Sequence, residues 1–264
     1  MSAGFVQRAG KALLPWAFPL AVIAAWEAAA RIGLITPRLL PAPSAVAVAF
    51  RDNAESGVLL HHMAISAGRA LYGLAIGGGI GFMLGVLNGV SRPAETVLDS
   101  SLQMLRNVPH FAIIPLVILW FGIGEEAKIF LVAIGVAFPI YLNTFHGIRG
   151  VDSGLIEMAR VYGLRPWALF WRVILPGALP SVLVGLRFSL GIMWLTLIVA
   201  ETISASSGIG YMTMNAREFL QTDVVLVGII IYALLGKLAD VLTRALERRA
   251  LSWHPAYQTA EVKA

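Results

Sequence analysis

Long apolar segments without formal charge dominate the pattern of this chain. Residues 71–90 and 129–148 contain no formally charged side chain. Each is long enough to cross a hydrocarbon core of about 30 Å as a helix that rises about 1.5 Å per residue. Residues 107–124 are also uncharged, and residues 13–30 carry a single acidic residue, Glu27. The pattern predicts four membrane-spanning helices at these places.

Two further apolar segments are shorter. Residues 188–200 and 224–236 each lie between charged residues and fall below the usual spanning length of about 20 residues. Because long charged side chains near helix ends reach toward the lipid headgroups, the predicted spans extend to residues 183–203 and 224–243. The hydrophobic pattern as a whole therefore predicts six transmembrane helices.

Composition supports a membrane protein. Hydrophobic residues make up 58% of the 264 residues and charged residues 13%, whereas a soluble domain has about 45–50% and about 25%. We therefore expect an all-α polytopic membrane protein. The lack of cysteine excludes disulfides, thiolate catalysis and cysteine-bound metals. The net charge of +5 comes mostly from residues between apolar spans, which indicates membrane orientation and lipid contacts rather than a nucleic-acid partner.

The basic residues predict the orientation of the chain. With six spans both termini share one side of the membrane, and that side collects most of the 20 Lys and Arg residues, including Arg149 and Arg248. Basic residues concentrate in cytoplasmic segments, so both termini are expected to be cytoplasmic. The alternative is a signal peptide cleaved after residues 28–30, which would leave five spans.

A row of glycines follows the predicted second span at every fourth position. Its members are Gly73, Gly77, Gly81, Gly85 and Gly89. Small residues at this spacing let another helix approach closely. We therefore predict a helix-packing face, with packing inside one subunit favoured over packing between two subunits.

Polar and aromatic residues in the predicted third and fifth spans are candidates for a translocation path, because polar groups inside a membrane are costly. The candidates are Asn107, His110, Met193, Trp194, Thr196 and Glu201. The simpler alternative is that a neighbouring helix satisfies each polar group, and for the histidine this is favoured over a proton relay. No pairing of carboxylates, or of His with Asp, indicates an ion path.

The segment 150–180, after the fourth span, is too long for a minimal connection. Asp152 or Ser153 can cap a short helix, and Gly163 can end it in the left-handed conformation. Spacings of three and four residues give this helix one apolar face, made of Leu155, Met158, Ala159 and Tyr162. The pattern predicts a two-turn amphipathic helix.

Three prolines shape the rest of this segment. Pro166 is expected to begin a second helix, Pro176 to end it, and Pro180 to begin the fifth span. The chain would then form a rigid elbow that holds the amphipathic helix at the cytoplasmic face. Such a helix exposes more apolar surface than an idle loop, which predicts a docking surface for a soluble partner.

The same segment resembles the EAA loop of ABC importer permeases, whose pattern is Glu-Ala-Ala, three residues, Gly, nine residues, Ile, any residue and Leu-Pro. Two positions depart from it, because Met158 replaces the first Ala and Val173 replaces Ile. Both exchanges are apolar. By this resemblance, the residues that dock the ATPase subunit are Glu157, Met158, Ala159, Tyr162, Gly163, Val173, Leu175 and Pro176.

The resemblance extends over nearly the whole chain and points to the permease subunits of bacterial aliphatic-sulfonate importers, as in residues 103–110 (QMLRNVPH). It implies a type I ABC importer fold. Residues 65–245 would form the transmembrane core, with the EAA loop inside it. Residues 1–64 would hold the N-terminal tail, first helix and external loop, and residues 246–264 the cytoplasmic tail.

The resemblance also implies an assembly in the bacterial inner membrane. It would contain two copies of this permease, two ABC ATPase subunits that bind ATP and Mg²⁺, and a periplasmic or lipid-anchored sulfonate-binding protein. The chain itself lacks a G-x-x-x-x-G-K-[ST] motif, so neither catalysis nor a cofactor is expected in it.

Alternatives to sulfonate import remain open. Taurine, nitrate and bicarbonate permeases are relatives, so another small anion could be the substrate. A secondary transporter would show inverted repeats, and a membrane hydrolase would show H-E-x-x-H or G-x-S-x-G. The sequence contains neither a repeat nor these motifs, so both classes are remote alternatives.

Overall fold

The structure, a computed structural model, describes residues 3–253, and it describes their side chains except at residues 3–15, 110 and 204. This part of the chain is built from helices and short connections. The helices are α1 (Ala3–Arg31), α2 (Pro43–Glu55), α3 (Val58–Val90), α4 (Arg92–Asn107), α5 (Ile114–Phe121), α6 (Glu125–Arg149), α7 (Ser153–Val161), α8 (Pro166–Leu169), α9 (Leu175–Ser204), α10 (Ile209–Glu218) and α11 (Thr222–Ala250).

Four helical segments are long and apolar enough to cross a membrane. They are Val58–Val90, Glu125–Arg149, Pro166–Ile203 and Thr222–Ala250. These segments contain the predicted second, fourth, fifth and sixth spans. The predicted first span, residues 13–30, lies within α1, and its crossing of the membrane stays a prediction, as does the count of six.

The predicted third span is broken, which corrects the expectation of one continuous helix over residues 107–124. Helix α4 ends at Asn107, a 3₁₀ turn covers His110–Ile113, and α5 then begins at Ile114. Together the two helical parts are long and apolar enough to form one span, with a bend of 81° between them. Pro109 explains the break, because proline lacks an N–H donor and disfavours helical geometry at the residue before it.

Helices α3 and α6 lie in close contact along the glycine row. A Cβ atom on Gly77 would lie 2.0 Å from the carbonyl oxygen of Ala133, and one on Gly81 would lie 2.2 Å from that of Ala137. The remaining glycines of the row face α6 in the same way: Gly73, Gly85 and Gly89. Within one subunit the row thus provides the room that two helix backbones need at close approach.

The expectation that Pro176 ends a helix is wrong. A π-helical turn covers Phe170–Ile174 and joins α8 to α9, so that Pro166–Ile203 is one helical segment. In this turn the N–H of Leu175 donates to the carbonyl of Phe170, five residues earlier. The wider turn relieves the clash that a proline ring makes with the carbonyl four residues before it. Pro180 likewise lies inside α9.

Candidate functional site

Local hydrogen bonds close α7 at both ends. The Asp152 carboxylate accepts a hydrogen bond of 2.8 Å from a backbone N–H in the first turn. At the other end Gly163 has a φ of +79°. The N–H groups of Gly163 and Leu164 donate to the carbonyls of Arg160 and Ala159 at 2.9 and 3.1 Å. This is the glycine-based helix stop that the sequence predicts, and it fixes the length of α7 at Ser153–Val161.

Helix α7 leaves an apolar face uncovered by the described part of the chain. Val161 and Tyr162 are 87% and 78% exposed, and Leu155 and Met158 are about half exposed. Ala159, which the sequence spacing places on this face, is buried instead and does not belong to the exposed surface. A contiguous exposed apolar surface on a short, capped helix is typical of an interaction site.

The other residues of the predicted docking surface divide between the surface of α7 and the junction behind it. Glu157 is exposed, and its carboxylate has no ion pair or side-chain hydrogen bond within the described residues. Val173, Leu175 and Pro176 are partly buried where the π turn passes into α9. The structure therefore places them at the junction behind α7 rather than on its exposed face. We call residues 150–180 the docking loop.

The described side chains among the residues predicted to line a translocation path lie in different surroundings, although Trp194 and Glu201 share Tyr232 as a neighbour. Met193 and Thr196 are buried within the subunit, and Trp194 is partly buried with its ring 6.4 Å from that of Tyr232. Asn107 is exposed at the end of α4. The side chain of His110 lies outside the described part of the structure.

Glu201 belongs to a set of paired charges, which we call the buried charge network and define as Ser66, Arg69, Glu125, Glu201 and Tyr232. Within it only Glu125, whose side chain is 51% exposed, reaches the surface. The Glu201 side chain is fully buried and pairs with Arg69 at 2.7 Å. It also accepts hydrogen bonds from the Ser66 hydroxyl at 2.8 Å and the Tyr232 hydroxyl at 3.0 Å. Arg69 extends the network to Glu125, 2.6 Å from its Nη2.

The loop after α9 closes over this network. Arg69 donates to the carbonyl of Ser207 at 2.7 Å, and the N–H of Gly210 donates to Glu201 at 2.9 Å. A Cβ atom on Gly208 would lie 2.4 Å from the Glu201 carboxylate, and the φ of this glycine is +105°. Only a glycine fits there without displacing the ion pair. The network thus ties α3, α6, α9, α10 and α11 together near the beginning of α6.

Sequence reasoning found one half of this network. It selected Glu201 as a polar residue inside a span but did not include Arg69, because the charge-free segment begins only at residue 71. In the structure α3 begins at Val58, and Arg69 is 3% exposed inside it. Opposite charges near the ends of two predicted spans were the available signal, since buried charges are almost always paired.

Sequence comparison places the chain among transport proteins. Residues 77–252 match the model of a family described as "Binding-protein-dependent transport system inner membrane component". The chain is 63% identical over 247 residues to the "Putative aliphatic sulfonates transport permease protein SsuC" of Escherichia coli K12, covering 94% of both chains. It is 36% identical to the "Taurine transport system permease protein TauC" of the same strain, with 93% of this chain and 95% of that one covered.

Solved structures share the fold. A chain from an amino acid ABC transporter crystallised with histidines matches with a TM-score of 0.63 at 17% identity, over 74% of this chain and 95% of that one. A chain of the inward-facing MetNI methionine ABC transporter matches with a TM-score of 0.50 at 22% identity, over 69% and 91%. At these identities the likeness concerns the fold alone.

Proposed function

The chain belongs to the family of inner-membrane components of binding-protein-dependent transport systems, and from this premise we propose that it is the membrane subunit of an ATP-driven importer of aliphatic sulfonates. It has the type I ABC importer permease fold. The observation that supports this substrate assignment is the 63% identity to a sulfonate permease over 94% of the chain. The 36% identity to a taurine permease makes taurine the second candidate.

The subunits of this importer that hydrolyse ATP would be separate polypeptides. The sequence has no phosphate-binding loop for ATP, so ATP and Mg²⁺ would be bound by ABC ATPase subunits. One chain carries one docking loop, so two copies of the permease would hold two ATPase subunits. A periplasmic or lipid-anchored binding protein would deliver the sulfonate from outside, and both termini would lie in the cytoplasm.

The uncovered apolar face of α7 is our candidate for the surface that the ATPase subunit binds. Its helix is short, capped at both ends and carried by a continuous helical segment, Pro166–Ile203. A rigid attachment of this kind converts movement of a bound partner into a tilt of α9 instead of a local deformation. Glu157, exposed and unpaired within the described residues, would face basic or N–H donors on the ATPase.

A pair of matched variants tests the docking surface. Tyr162→Asp places a charge at the centre of the apolar face, whereas Phe219→Asp places one on a comparably exposed aromatic residue at the end of α10. We expect Tyr162→Asp to weaken co-purification of the ATPase subunit at least about tenfold and Phe219→Asp to leave it unchanged. Equal recovery of the ATPase with both variants would refute this assignment.

Uptake measurements test the substrate. Cells that lack sulfonate importers would express the chain with its cognate ATPase and binding protein, and uptake of ethanesulfonate, taurine and nitrate would be compared. We expect ethanesulfonate to be imported fastest and nitrate not at all. Faster uptake of taurine than of ethanesulfonate would favour the second candidate. Uptake of nitrate alone would refute the sulfonate assignment but not the assignment as a transporter.

A further inference from the structure

A cleft of about 350 Å³ opens between α4, α6 and α9. Its volume lies within the range of about 300–1,000 Å³ that is usual for small-molecule sites. The residues that matter to the argument are Arg106, Phe138, Leu142, Asn143, Phe188 and Ile192. The cleft is separate from the buried charge network and from the docking loop.

Arg106 is an unpaired cation at the wall of this cleft. Within the described residues its guanidinium has no ion pair and no side-chain hydrogen bond, and the side chain is exposed. Asp99, the nearest acidic residue of α4 in sequence, accepts a hydrogen bond from the Tyr141 hydroxyl at 3.0 Å. Arginine stays charged at any physiological pH, so Arg106 presents a full positive charge to the cleft.

The position of the cleft along α6 shows how deep in the membrane the Arg106 charge lies. Helix α6 runs over Glu125–Arg149, and the part of it that lines the cleft, residues 134–143, occupies its middle turns. An unpaired charge halfway through a membrane is too costly to face lipid and indicates a water-filled path or a ligand site. Arg106 therefore belongs to a surface that meets water or an anion.

Among the described residues, the remaining wall is apolar except for one amide. Phe138, Leu142, Phe188 and Ile192 surround the space, and no described carboxylate lines it. The Asn143 amide donates one N–H to the carbonyl of Pro139 at 2.9 Å, which leaves a second N–H for an anion. One cation, one amide donor and an apolar wall together match a monoanion with an aliphatic tail.

The wall also adjoins a buried hydroxyl. Gly135 lines the cleft, and a Cβ atom on it would lie 2.9 Å from Oγ1 of Thr196. This Oγ1 is buried and has no hydrogen-bond partner within the described residues. The missing side chain of Gly135 leaves room for Thr196, so that α6 and α9 pack closely behind the wall of the cleft.

We propose that this cleft is an internal binding site for alkanesulfonates, in which the Arg106 guanidinium holds the sulfonate oxygens and the apolar residues hold the alkyl tail. The proposal rests on the proposed function and adds the site and the preferred form of the substrate. A guanidinium presents two parallel N–H groups to oxygens of one anionic group. Because no acidic residue in the described part of the chain lines the tail end, the site favours an alkyl tail over the ammonium-bearing tail of taurine.

The first experiment uses the complete transporter in proteoliposomes, with its ATPase and saturating binding protein. Arg106→Gln removes the charge, Arg106→Lys keeps it without the two-pronged geometry, and Arg92→Gln removes an exposed arginine from the first turn of the same helix. We expect hexanesulfonate uptake to fall at least about tenfold with Arg106→Gln, less with Arg106→Lys, and not at all with Arg92→Gln. Equal uptake by the Arg106→Gln and Arg92→Gln variants overturns the proposal.

A second experiment tests the tail region. Ile192→Phe narrows the cleft, whereas Leu195→Phe adds the same bulk to an exposed position of α9 away from it. We expect Ile192→Phe to lower the ratio of hexanesulfonate to methanesulfonate uptake severalfold and Leu195→Phe to leave the ratio unchanged. An unchanged ratio in both variants contradicts a tail site here, and the ratio remains interpretable even where Arg106→Gln impairs assembly.

A third experiment measures sulfonate binding to the permease directly. Labelled hexanesulfonate would be dialysed against the solubilised permease–ATPase complex without binding protein, and we expect Arg106→Gln to lower its binding at least about tenfold. Equal binding to the unaltered complex and to the Arg106→Gln complex overturns the proposal of an internal site. Loss of bound phospholipid without loss of sulfonate uptake would make Arg106 a lipid anchor and also overturn it. Failure of the unaltered transporter to import any sulfonate would instead refute the proposed function itself.

Discussion

Replacing Arg69 by Met removes the cation that compensates the fully buried carboxylate of Glu201. The carboxylate would keep its hydrogen bonds from Ser66 and Tyr232 but lose its counter-charge. Removing one partner of a buried ion pair costs about 3–5 kcal/mol, because the other charge is left uncompensated. Glu201→Gln should cost less, about 1–3 kcal/mol, since Arg69 keeps Glu125 at 2.6 Å.

The double variant makes this reasoning quantitative. With Arg69→Met and Glu201→Gln combined, no uncompensated charge remains at residue 201, so the total loss should be smaller than the sum of the single losses by about 1–3 kcal/mol. The measurement is the midpoint of heat-induced unfolding of the purified permease in mild detergent, with native lipid retained.

A surface pair on another helix serves as the control. Arg31 and Glu27 also pair, at 2.6 Å, but the Arg31 side chain is 71% exposed, and exposed pairs contribute about 0–1 kcal/mol. Arg31→Met should therefore barely move the midpoint. If Arg69→Met behaves like Arg31→Met, or if the single losses simply add, the buried charge network does not hold the helices together as described.

Three further predictions concern the glycine row and the docking loop. Gly77→Val should destabilise the fold by about 1–3 kcal/mol, because its Cβ would overlap the Ala133 carbonyl, whereas Gly79→Val, in open space, should change the unfolding midpoint little. Gly163→Val should weaken ATPase co-purification more than Gly163→Asn, because Asn tolerates the left-handed conformation better. Glu157→Lys should leave the unfolding midpoint unchanged and lower ATP-driven uptake, and unchanged uptake would contradict a contact with the ATPase.

Features that depend on neighbouring residues were accessible to sequence reasoning. The cap at Asp152 and the stop at Gly163 are satisfied by hydrogen bonds within a few residues, so the spacing alone predicts them. The charge-free segments behave in the same way, because a spanning helix satisfies its own backbone hydrogen bonds. The break before Pro109 belongs to this group as well, and giving more weight to that proline would have predicted it.

Features that depend on distant residues were not accessible. Arg69 and Glu201 lie 132 residues apart in the sequence, and no spacing rule connects them. The π turn at Phe170–Ile174 is another case, since a proline normally ends a helix and no spacing rule predicts the wider turn that lets this helix continue. Arg106 directly precedes the charge-free segment that begins at residue 107, and its importance emerges only from the apolar walls around it.

The position of α9 connects these features mechanically. Its segment Pro166–Ile203 begins in the docking loop and ends beside the buried charge network. The network fixes α9 to α3, α6 and α11 through contacts that are costly to break in a low-dielectric interior. A pull on the docking loop is therefore expected to move these four helices as one body.

Helix α4 is held less tightly than that body, although Asp99 accepts a hydrogen bond from Tyr141 of α6 at 3.0 Å. None of its residues is buried within the subunit, and it ends at the break before Pro109. Weakly packed elements next to a break are the ones that shift when a rigid body tilts. The Arg106 cleft lies between this helix and the fixed pair α6 and α9, so the same tilt that the docking loop transmits would widen or narrow the cleft. Binding and release of an anion at Arg106 would then follow the movement of the ATPase without any separate gate.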